Sequence, residues 1–478
     1  MIFTSFEFVC FFLAVLIVRS CLRSFAAEKW FLLLASYCFY LTWSIPCILL
    51  LLFSSVSDYC IGRKLGETEN PNYRKRLLIV SLLANLGILG FFKYSNFLLE
   101  NVWVGLGLLG IHFPHPRYEI VLPPAISYFT FASMSYVIDV YYERISPSRS
   151  LTDYSLFVSF FPKLLAGPIM RAGDFLPQLS RRVRASMAEI ETGLSYFLLG
   201  AVKKLVISDQ IGSSVDQIFS TPAQYDSLTL LQGLLGYAVQ IYCDFSGYSD
   251  MAIGCALILG FKLPENFQMP YSSLSITEFW RRWHITLSAW FRDYVFLPLE
   301  VTRKNVRNPT LRACSNLTIT MLLCGLWHGA SWNYVVWGGI HGTSLAIHRV
   351  WTIRNPLASV IHHPVSQFIR DLFARLLTIG VILMAWVVFR TQSLKDAGYY
   401  LSRMLSWEHS GTRLLSPYIV TAVVAVFLTH LIVPKDFNWS ADVARRPFPV
   451  RALAYGALLF LLVCFGATDA TPFIYFQF

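Results

Sequence analysis

Long apolar stretches alternate with short polar segments from one end of the chain to the other. They lie near residues 6–18, 29–44, 45–62, 77–97, 121–142, 192–211, 228–260, 313–348, 370–391, 414–433 and 450–470. Because one helical crossing of the hydrocarbon core takes about 20 residues, the pattern predicts roughly eleven transmembrane helices. The longest stretches, 228–260 and 313–348, exceed one crossing and are predicted to turn or break. The predicted fold is all-α and polytopic, with additional re-entrant and interfacial helices.

Composition supports a chain covered by lipid. Of its 478 residues, 55% are hydrophobic and only 14% are charged, whereas soluble domains carry about 25% charged residues. The net charge is +11, but the basic residues sit in short loops between apolar runs. That placement favours membrane orientation and contact with anionic lipid over binding of nucleic acid. With no internal repeat and no long polar linker, one membrane domain over 1–478 is predicted.

The distribution of basic residues also predicts the orientation. No basic residue precedes the run 6–18, and Arg19 and Arg23 follow it. This pattern indicates a first transmembrane helix with an external N-terminus rather than a cleaved leader. The three most basic segments are predicted to be cytosolic; they are 63–76, 171–184 and 303–312.

The run 313–348 is the most informative part of the sequence. It contains 36 residues without Asp, Glu, Lys or Arg. A straight helix of that length would rise about 54 Å, against a hydrocarbon core of roughly 30 Å, so a break is predicted. Gly329 permits one, and His328 precedes it, deep in the run. A buried histidine can act as base, acid or nucleophile, or it can be a structural imidazole bonded to a carbonyl. For His341 and His348 the structural interpretation is favoured.

A second segment, 279–294, is rich in tryptophan and arginine. At helical spacing one stripe is aromatic; it comprises Trp280, Trp283, Leu287, Trp290, Phe291 and Tyr294. Another stripe is polar; it comprises Arg281, His284, Ser288 and Arg292. Thr277 and Glu278 suit a helix start, and Pro298 follows its end. The segment is therefore either an interfacial helix anchored by tryptophans, or a basic rim whose polar stripe faces an anionic substrate such as a phosphate-bearing acyl carrier.

Two carboxylates, Asp244 and Asp250, lie in an apolar context, and Asn266 follows in the segment 264–267. Acids inside a membrane must pair, and the expected partners are arginines such as Arg281 or Arg292. The alternative is that these residues orient a catalytic imidazole from behind. The ten cysteines form no Cys-x-x-Cys pair or zinc-type cluster, so no metal site is predicted.

Six stretches occur in an order that is typical of one family. They are 159–171 (SFFPKLLAGPIMR), 244–254 (DFSGYSDMAIG), 263–267 (LPENF), 279–284 (FWRRWH), 327–329 (WHG) and the closing 472–478 (PFIYFQF). With these motifs the chain resembles the membrane-bound O-acyltransferase superfamily, specifically its bacterial branch of alginate O-acetyltransferase membrane proteins. The resemblance covers nearly the whole chain, with its signature core at about 121–348.

The resemblance implies a site. His328 matches the catalytic histidine of the family, and His284 matches its second signature position. The implied fold is a many-helix membrane body in which a cytosolic and an external funnel meet near His328. The segments themselves supply the predicted substrate-binding candidates, which are Arg281, Arg282, Trp283, Trp327, Asp244, Asp250 and Asn266.

The resemblance also implies a function. The chain is expected to be a multi-pass O-acyltransferase of the bacterial inner membrane that modifies a polysaccharide, as in alginate biosynthesis. An acetyl group would pass from a cytosolic thioester, acetyl-CoA or an acyl carrier protein, to a hydroxyl of an exported polysaccharide or of a periplasmic or extracellular acetyltransferase partner. No permanently bound cofactor is expected. His328 would either deprotonate the acceptor hydroxyl or carry the acyl group.

Two functions of other classes compete with this prediction. One is a proton-coupled transporter or flippase in which His328 relays protons. The absence of a sequence repeat in matching halves counts against it. The other is a non-catalytic scaffold that recruits a secreted enzyme.

Overall fold

The computed structural model describes residues 1–478 except 44, 112–119, 306, 356–363, 408–409, 435–436, 468–472 and 475–478. Its regular structure is helical throughout, and the extended pairing in the described residues is a single bridge between Tyr225 and Thr412. The all-α prediction is therefore confirmed. The chain forms two compact units, one of Met1–Leu194 with Ala252–Pro264 and the other of Ser195–Met251 with Glu265–Phe478. One domain over 1–478 stays a prediction.

Eight helices belong to the first unit. They are α1 Phe6–Cys21, α2 Phe25–Leu41, α3 Cys47–Glu67, α4 Pro71–Leu108, α5 Ile126–Tyr141, α6 Leu151–Ser159, α7 Phe161–Leu164 and α8 Ala172–Phe175. Helices α9 (Met187–Ala201) and α11 (Ser227–Ile258) have residues in both units.

The second unit contains the remaining helices. They are α10 Asp209–Ser220, α12 Ile276–Arg282, α13 Ile285–Phe291, α14 Leu297–Thr302, α15 Pro309–His328, α16 Trp332–Arg354, α17 Pro364–Arg390, α18 Leu394–Leu405, α19 Pro417–Ile432, α20 Trp439–Ala444 and α21 Phe448–Phe465. Two π-helical turns, Val202–Ser208 and Arg292–Phe296, connect neighbouring helices.

Three helices in the described part of the chain are long and apolar enough to cross a bilayer on their own. They are α4, the part of α17 from Ser366 to Arg390, and α21. Others in the predicted apolar stretches are shorter, such as α1, α2 and α5 with 16, 17 and 16 residues. Since a perpendicular crossing takes about 20 residues, helix length alone does not identify them as spans.

Two buried carboxylates of the first unit are satisfied within that unit. The carboxylate of Asp58 on α3 accepts hydrogen bonds from Ser81 Oγ at 2.6 Å and from Asn85 Nδ2 at 2.7 Å, both on α4. Glu28 on α2 accepts from Arg182 and from Arg184, the latter at 3.2 Å. Because an unpaired carboxylate is costly in an apolar interior, these contacts fix which helix faces meet.

Helix α11 corrects one prediction. The stretch 228–260 was expected to turn or break, yet α11 is a continuous helix of 32 residues. It rises about 48 Å. Its glycines pack against neighbours instead of interrupting it: a Cβ on Gly247 would lie 2.6 Å from the carbonyl oxygen of Gly200 on α9. Close backbone approach is the physical reason for the glycines here.

The predicted break in 313–348 is confirmed. Helix α15 ends at His328, and α16 begins at Trp332. Ser331 caps α16, since its Oγ accepts a hydrogen bond from Asn333 N at 3.2 Å. The two helices then run back against each other with their backbones in contact at Gly325, Gly338 and Gly342.

The expected continuous helix over 277–294 is wrong. Helix α12 ends at Arg282, and α13 starts at Ile285 after His284, whose φ is +42°. A left-handed conformation is unfavourable for a non-glycine residue and needs compensation from its surroundings. The 3.6-residue periodicity could not reveal this break, because its cause is a side chain distant in sequence, described below.

Gly338 and Gly339 provide a matched test of the contact between α15 and α16. A Cβ on Gly338 would meet the Met321 carbonyl and lie 3.0 Å from the Leu322 Cα, whereas one on Gly339 meets only Leu322 Cδ2 at 3.7 Å. Overpacking costs about 1–3 kcal/mol. We expect Gly338→Val to lower the melting temperature in detergent clearly more than Gly339→Val. Equal melting temperatures would contradict the close contact.

Candidate active site

His328 is the last residue of α15 and is 5% exposed. Three aromatic rings meet its imidazole edge-on: Trp327 at 5.0 Å, Trp337 of α16 at 4.9 Å and Phe389 of α17 at 5.4 Å between centroids. Such edge-to-face contacts are favourable and fix ring orientation. The imidazole is therefore held in an apolar cage at a helix end.

The loop after His328 is anchored by Asn333. Its Nδ2 donates hydrogen bonds to the carbonyl oxygens of Val388 at 3.1 Å and Thr391 at 2.7 Å. Carbonyls at a helix C-terminus lack intrahelical partners, so a buried side-chain amide can satisfy them. The anchored turn of α17 also carries Phe389. One asparagine thus fixes both the loop after His328 and a wall of its cage.

His284 is fully buried between α12 and α13. Its Nδ1 lies 3.1 Å from Asn266 Oδ1, which also accepts hydrogen bonds from Thr286 N at 3.3 Å and Thr286 Oγ1 at 2.9 Å. Because the Thr286 amide identifies Oδ1 as an acceptor, we assign the proton of His284 to Nδ1. Its Nε2 then presents a lone pair, and no residue described in the structure bonds it.

Asn266 is the side chain that breaks the helix at His284. In addition to the hydrogen bonds that its Oδ1 accepts, its backbone carbonyl oxygen accepts one from Ile285 N at 3.0 Å. Its Nδ2 donates to Ser249 Oγ on α11 at 3.2 Å. The first amides of α13 are thus satisfied from outside the helix, which compensates the positive φ of His284. Substrate binding by Asn266 stays a prediction, and the contacts found here are all within the protein.

The two histidines are connected through Trp327. Its ring centroid lies 6.2 Å from that of His284 and 5.0 Å from that of His328. Phe245 of α11 meets the other side of His284 at 4.6 Å. Among the residues that the structure describes, no group of three His, Cys, Asp or Glu side chains is placed to hold a metal ion.

The two acids of α11 pair with lysines, not with the expected arginines. Asp244 contacts Lys204 Nζ at 2.7 Å, and the same ammonium lies 2.8 Å from Asp209. Asp250 contacts Lys203 Nζ at 2.7 Å. Both lysines come from the π-helical turn Val202–Ser208, whereas Arg292 pairs with its neighbour Asp293. Structural pairing is what the contacts of these acids support.

The end of the chain meets the same helix. Asp244 Oδ2 accepts a hydrogen bond from Ile474 N at 2.7 Å, and Phe473 packs on Phe245 at 5.4 Å and on Tyr248 at 5.0 Å. Phe245 in turn contacts His284. The rest of the closing motif, Pro472 and 475–478, lies outside the described residues.

The predicted polar stripe does not lie on one continuous helix, and the basic rim stays a prediction. Arg281 is exposed, while His284 of the same predicted stripe is buried. Arg282 donates to Glu278 at 3.0 Å and to the Gln268 carbonyl at 3.2 Å. Trp283 is buried and stacks on Phe279 at 5.6 Å. Because the helix breaks at His284, the residues of the predicted polar stripe do not share one helix face as regular spacing would require.

Several residues of the site were not predicted from the sequence. Lys203 and Lys204 carried a usable signal, because they are adjacent cations within an apolar run and balance the two acids of α11. Asn333, Trp337 and Phe389 gave none, because their contacts with the His328 region depend on how α16 and α17 pack.

Comparison with known proteins places these motifs in context. Residues 41–387 match the model of the MBOAT, membrane-bound O-acyltransferase family. A protein of Pseudomonas putida named probable alginate O-acetylase AlgI is 35% identical over 505 residues, which cover 100% of each chain. The peptidoglycan O-acetyltransferase of Helicobacter pylori is 34% identical, covering 82% of this chain and 77% of its own. The teichoic acid D-alanyltransferase of Bacillus subtilis is 30% identical, covering 52% and 64%.

The Lys203–Asp250 pair can be tested by a double-mutant cycle. The two side chains are partly buried, 20% and 17% exposed. Removing one member leaves an uncompensated charge, which costs about 3–5 kcal/mol in a fully buried pair and less here, whereas replacing both is nearly neutral. We expect Lys203→Met and Asp250→Leu each to lower the melting temperature and the double variant to recover most of the loss. Thermal unfolding in detergent measures all three variants. Additive losses in the double variant would show that the pair is not coupled.

Proposed function

The chain belongs to the membrane-bound O-acyltransferase family, and on that premise we propose that it moves an acetyl group from a cytosolic thioester to a hydroxyl of an exported polysaccharide. The acceptor class rests on relatives named for alginate and for peptidoglycan. Acetyl as the acyl group rests on the same names. The family assignment replaces the alternatives of a proton-coupled transporter and a non-catalytic scaffold.

His328 is the proposed reaction centre. The observation that carries this role is a buried imidazole held by aromatic rings at an interruption between two helices. A titratable side chain in that setting is expensive to bury and has the chemistry for acyl transfer. It acts either as the base for the acceptor hydroxyl or as a transient acyl carrier.

His284 is proposed to orient a substrate. With Nδ1 donating to Asn266, its Nε2 can accept a hydrogen bond from a hydroxyl or an amide N–H. Its ring contacts Trp327, and the same indole contacts His328. The neighbouring arginines are not needed for this role, since Arg281 is exposed and Arg282 is held by Glu278.

The setting of the reaction is part of the proposal. We place the chain in the bacterial inner membrane with roughly eleven crossings, counting helices that are short or polar by themselves. Acetyl-CoA or an acyl carrier protein would deliver the thioester near the basic segments 171–184 and 303–312. A periplasmic or extracellular acetyltransferase would pass the group to the polysaccharide. Exclusion of bulk water protects the acyl group from hydrolysis.

His328→Ala tests the reaction centre. We expect the variant to fold and reach the membrane but to lose at least about 10²–10⁴-fold in acetyl transfer, the usual contribution of a positioned acid–base group. Transfer from labelled acetyl-CoA to polysaccharide is measured with the purified chain and its secreted partner. His348→Ala is the control. This half-buried histidine contacts Thr277 on α12 and is not one of the rings that form the cage around His328. Wild-type transfer by His328→Ala would overturn the assignment.

The two possible roles of His328 are separated by the reaction with donor alone. If His328 carries the acyl group, enzyme mixed with acetyl-CoA but without acceptor should release a burst of about one CoA per active site, because the acetyl group moves to the imidazole. If His328 acts only as a base, no burst is expected, and CoA is released only when acceptor is present.

His284→Ala tests the proposed orienting role. The variant should preserve folding and raise KM or lower kcat, since substrate orientation is lost.

A further inference from the structure

Trp337 on α16 is enclosed by rings and is 1% exposed. Its indole meets His328 edge-on at 4.9 Å and His341 at 4.7 Å. Phe389 at 5.4 Å and Trp386 at 6.2 Å close the cluster from α17. Contacts on this many sides leave the indole with one orientation, directly beside the proposed reaction centre.

The indole N–H of Trp337 has no hydrogen-bond partner among the residues described here. The neighbouring Trp280 provides a contrast, because its Nε1 donates to His341 Nδ1 at 3.3 Å. A buried donor without an acceptor costs free energy, so natural proteins rarely keep one. The cost suggests that an acceptor atom of a ligand bonds this N–H during function.

The backbone amide that directly follows His328 is already engaged. The amide of Gly329, the next residue, already donates to the Gly325 carbonyl at 3.3 Å. Phe389, another wall of the cage, has no N–H or O–H group. Next to His328, the Trp337 indole is thus a rigidly held donor that no described residue engages.

We propose that Trp337 is a catalytic residue whose indole N–H donates a hydrogen bond to the acyl carbonyl oxygen as negative charge develops on it. The inference rests on the proposed function and adds a residue to it. A donor held in advance, in a site without bulk water, stabilises such an oxyanion strongly. An indole is suited to this because it donates only and keeps its proton.

The step balances without a further reactant. The acceptor oxygen forms a bond to the carbonyl carbon, its proton passes to the His328 imidazole, and the carbonyl electron pair moves onto oxygen. When this pair returns, the carbon–sulfur bond breaks, and the leaving thiolate takes the proton from the imidazolium. If His328 itself is acylated first, its attack on the thioester produces the same kind of oxyanion. Trp337 serves in both cases.

Two replacements of Trp337 isolate the N–H. Trp337→Phe keeps an aromatic ring, and replacement by benzothienylalanine keeps the bicyclic shape with sulfur in place of N–H. For both variants, we expect kcat for acetyl transfer to fall about 10²–10³-fold, as on removal of one oxyanion donor, with little change in KM. The melting temperature of the benzothienylalanine variant should equal that of the wild type.

Trp280→Phe is the matched control. It removes an indole N–H from the same cluster, but one that His341 accepts within the protein. We expect a lower melting temperature and a kcat per folded enzyme close to wild type. A loss of kcat in Trp280→Phe as large as that in Trp337→Phe would indicate general disturbance of the cluster and would overturn the proposal.

The outcomes distinguish this inference from the proposed function. If His328→Ala is inactive while the benzothienylalanine variant keeps wild-type kcat, the N–H has no role and only this inference fails. If His328→Ala keeps wild-type transfer, the proposed function fails as well. Loss of kcat in both Trp337 variants, with KM and melting temperature preserved in the benzothienylalanine variant, supports the oxyanion donor.

Discussion

Polar groups that this chain carries into its apolar interior must find partners within the chain, because lipid hydrocarbon offers none. Asp244 and Asp250 satisfy this constraint through Lys204 and Lys203, which join α11 to the π-helical turn after α9. The amide of Ile474 adds a third contact to the same helix. The polar contacts therefore do more than cancel a cost: they determine which helices meet around the proposed site.

The same constraint explains why a buried asparagine bonds backbone groups near each of the two histidines. A histidine at a helix interruption exposes backbone groups that a continuous helix would have satisfied. Asn266 satisfies the start of α13 after His284. Asn333 satisfies the end of α17, beside the loop after His328. In each case a buried side-chain amide makes the interruption stable, and the interruption is what orients the imidazole.

The sequence predicted the break after His328 because 36 uncharged residues exceed the membrane thickness as one straight helix. It failed at His284 because regular spacing continued through 279–294 while the cause of the break, Asn266, lies outside the segment. It failed at Asp244 because the choice between lysine and arginine partners depends on helix packing. The length of an apolar run and its helical periodicity reveal local constraints. Contacts between residues that are distant in sequence are seen only in the folded structure.

The aromatic rings around His328 affect the proposed acyl transfer in two ways. Rings meet His328 on several sides without placing a competing charge beside the imidazole. In the proposed function, this cage keeps water from an acyl group that water would otherwise hydrolyse. An apolar cage alone would disfavour the negative charge that acyl transfer creates on oxygen. A donor built into the cage resolves this conflict, since a hydrogen bond strengthens as the surrounding dielectric falls. The proposed role of Trp337 combines both properties in one side chain, an apolar wall of the cage and a buried N–H donor.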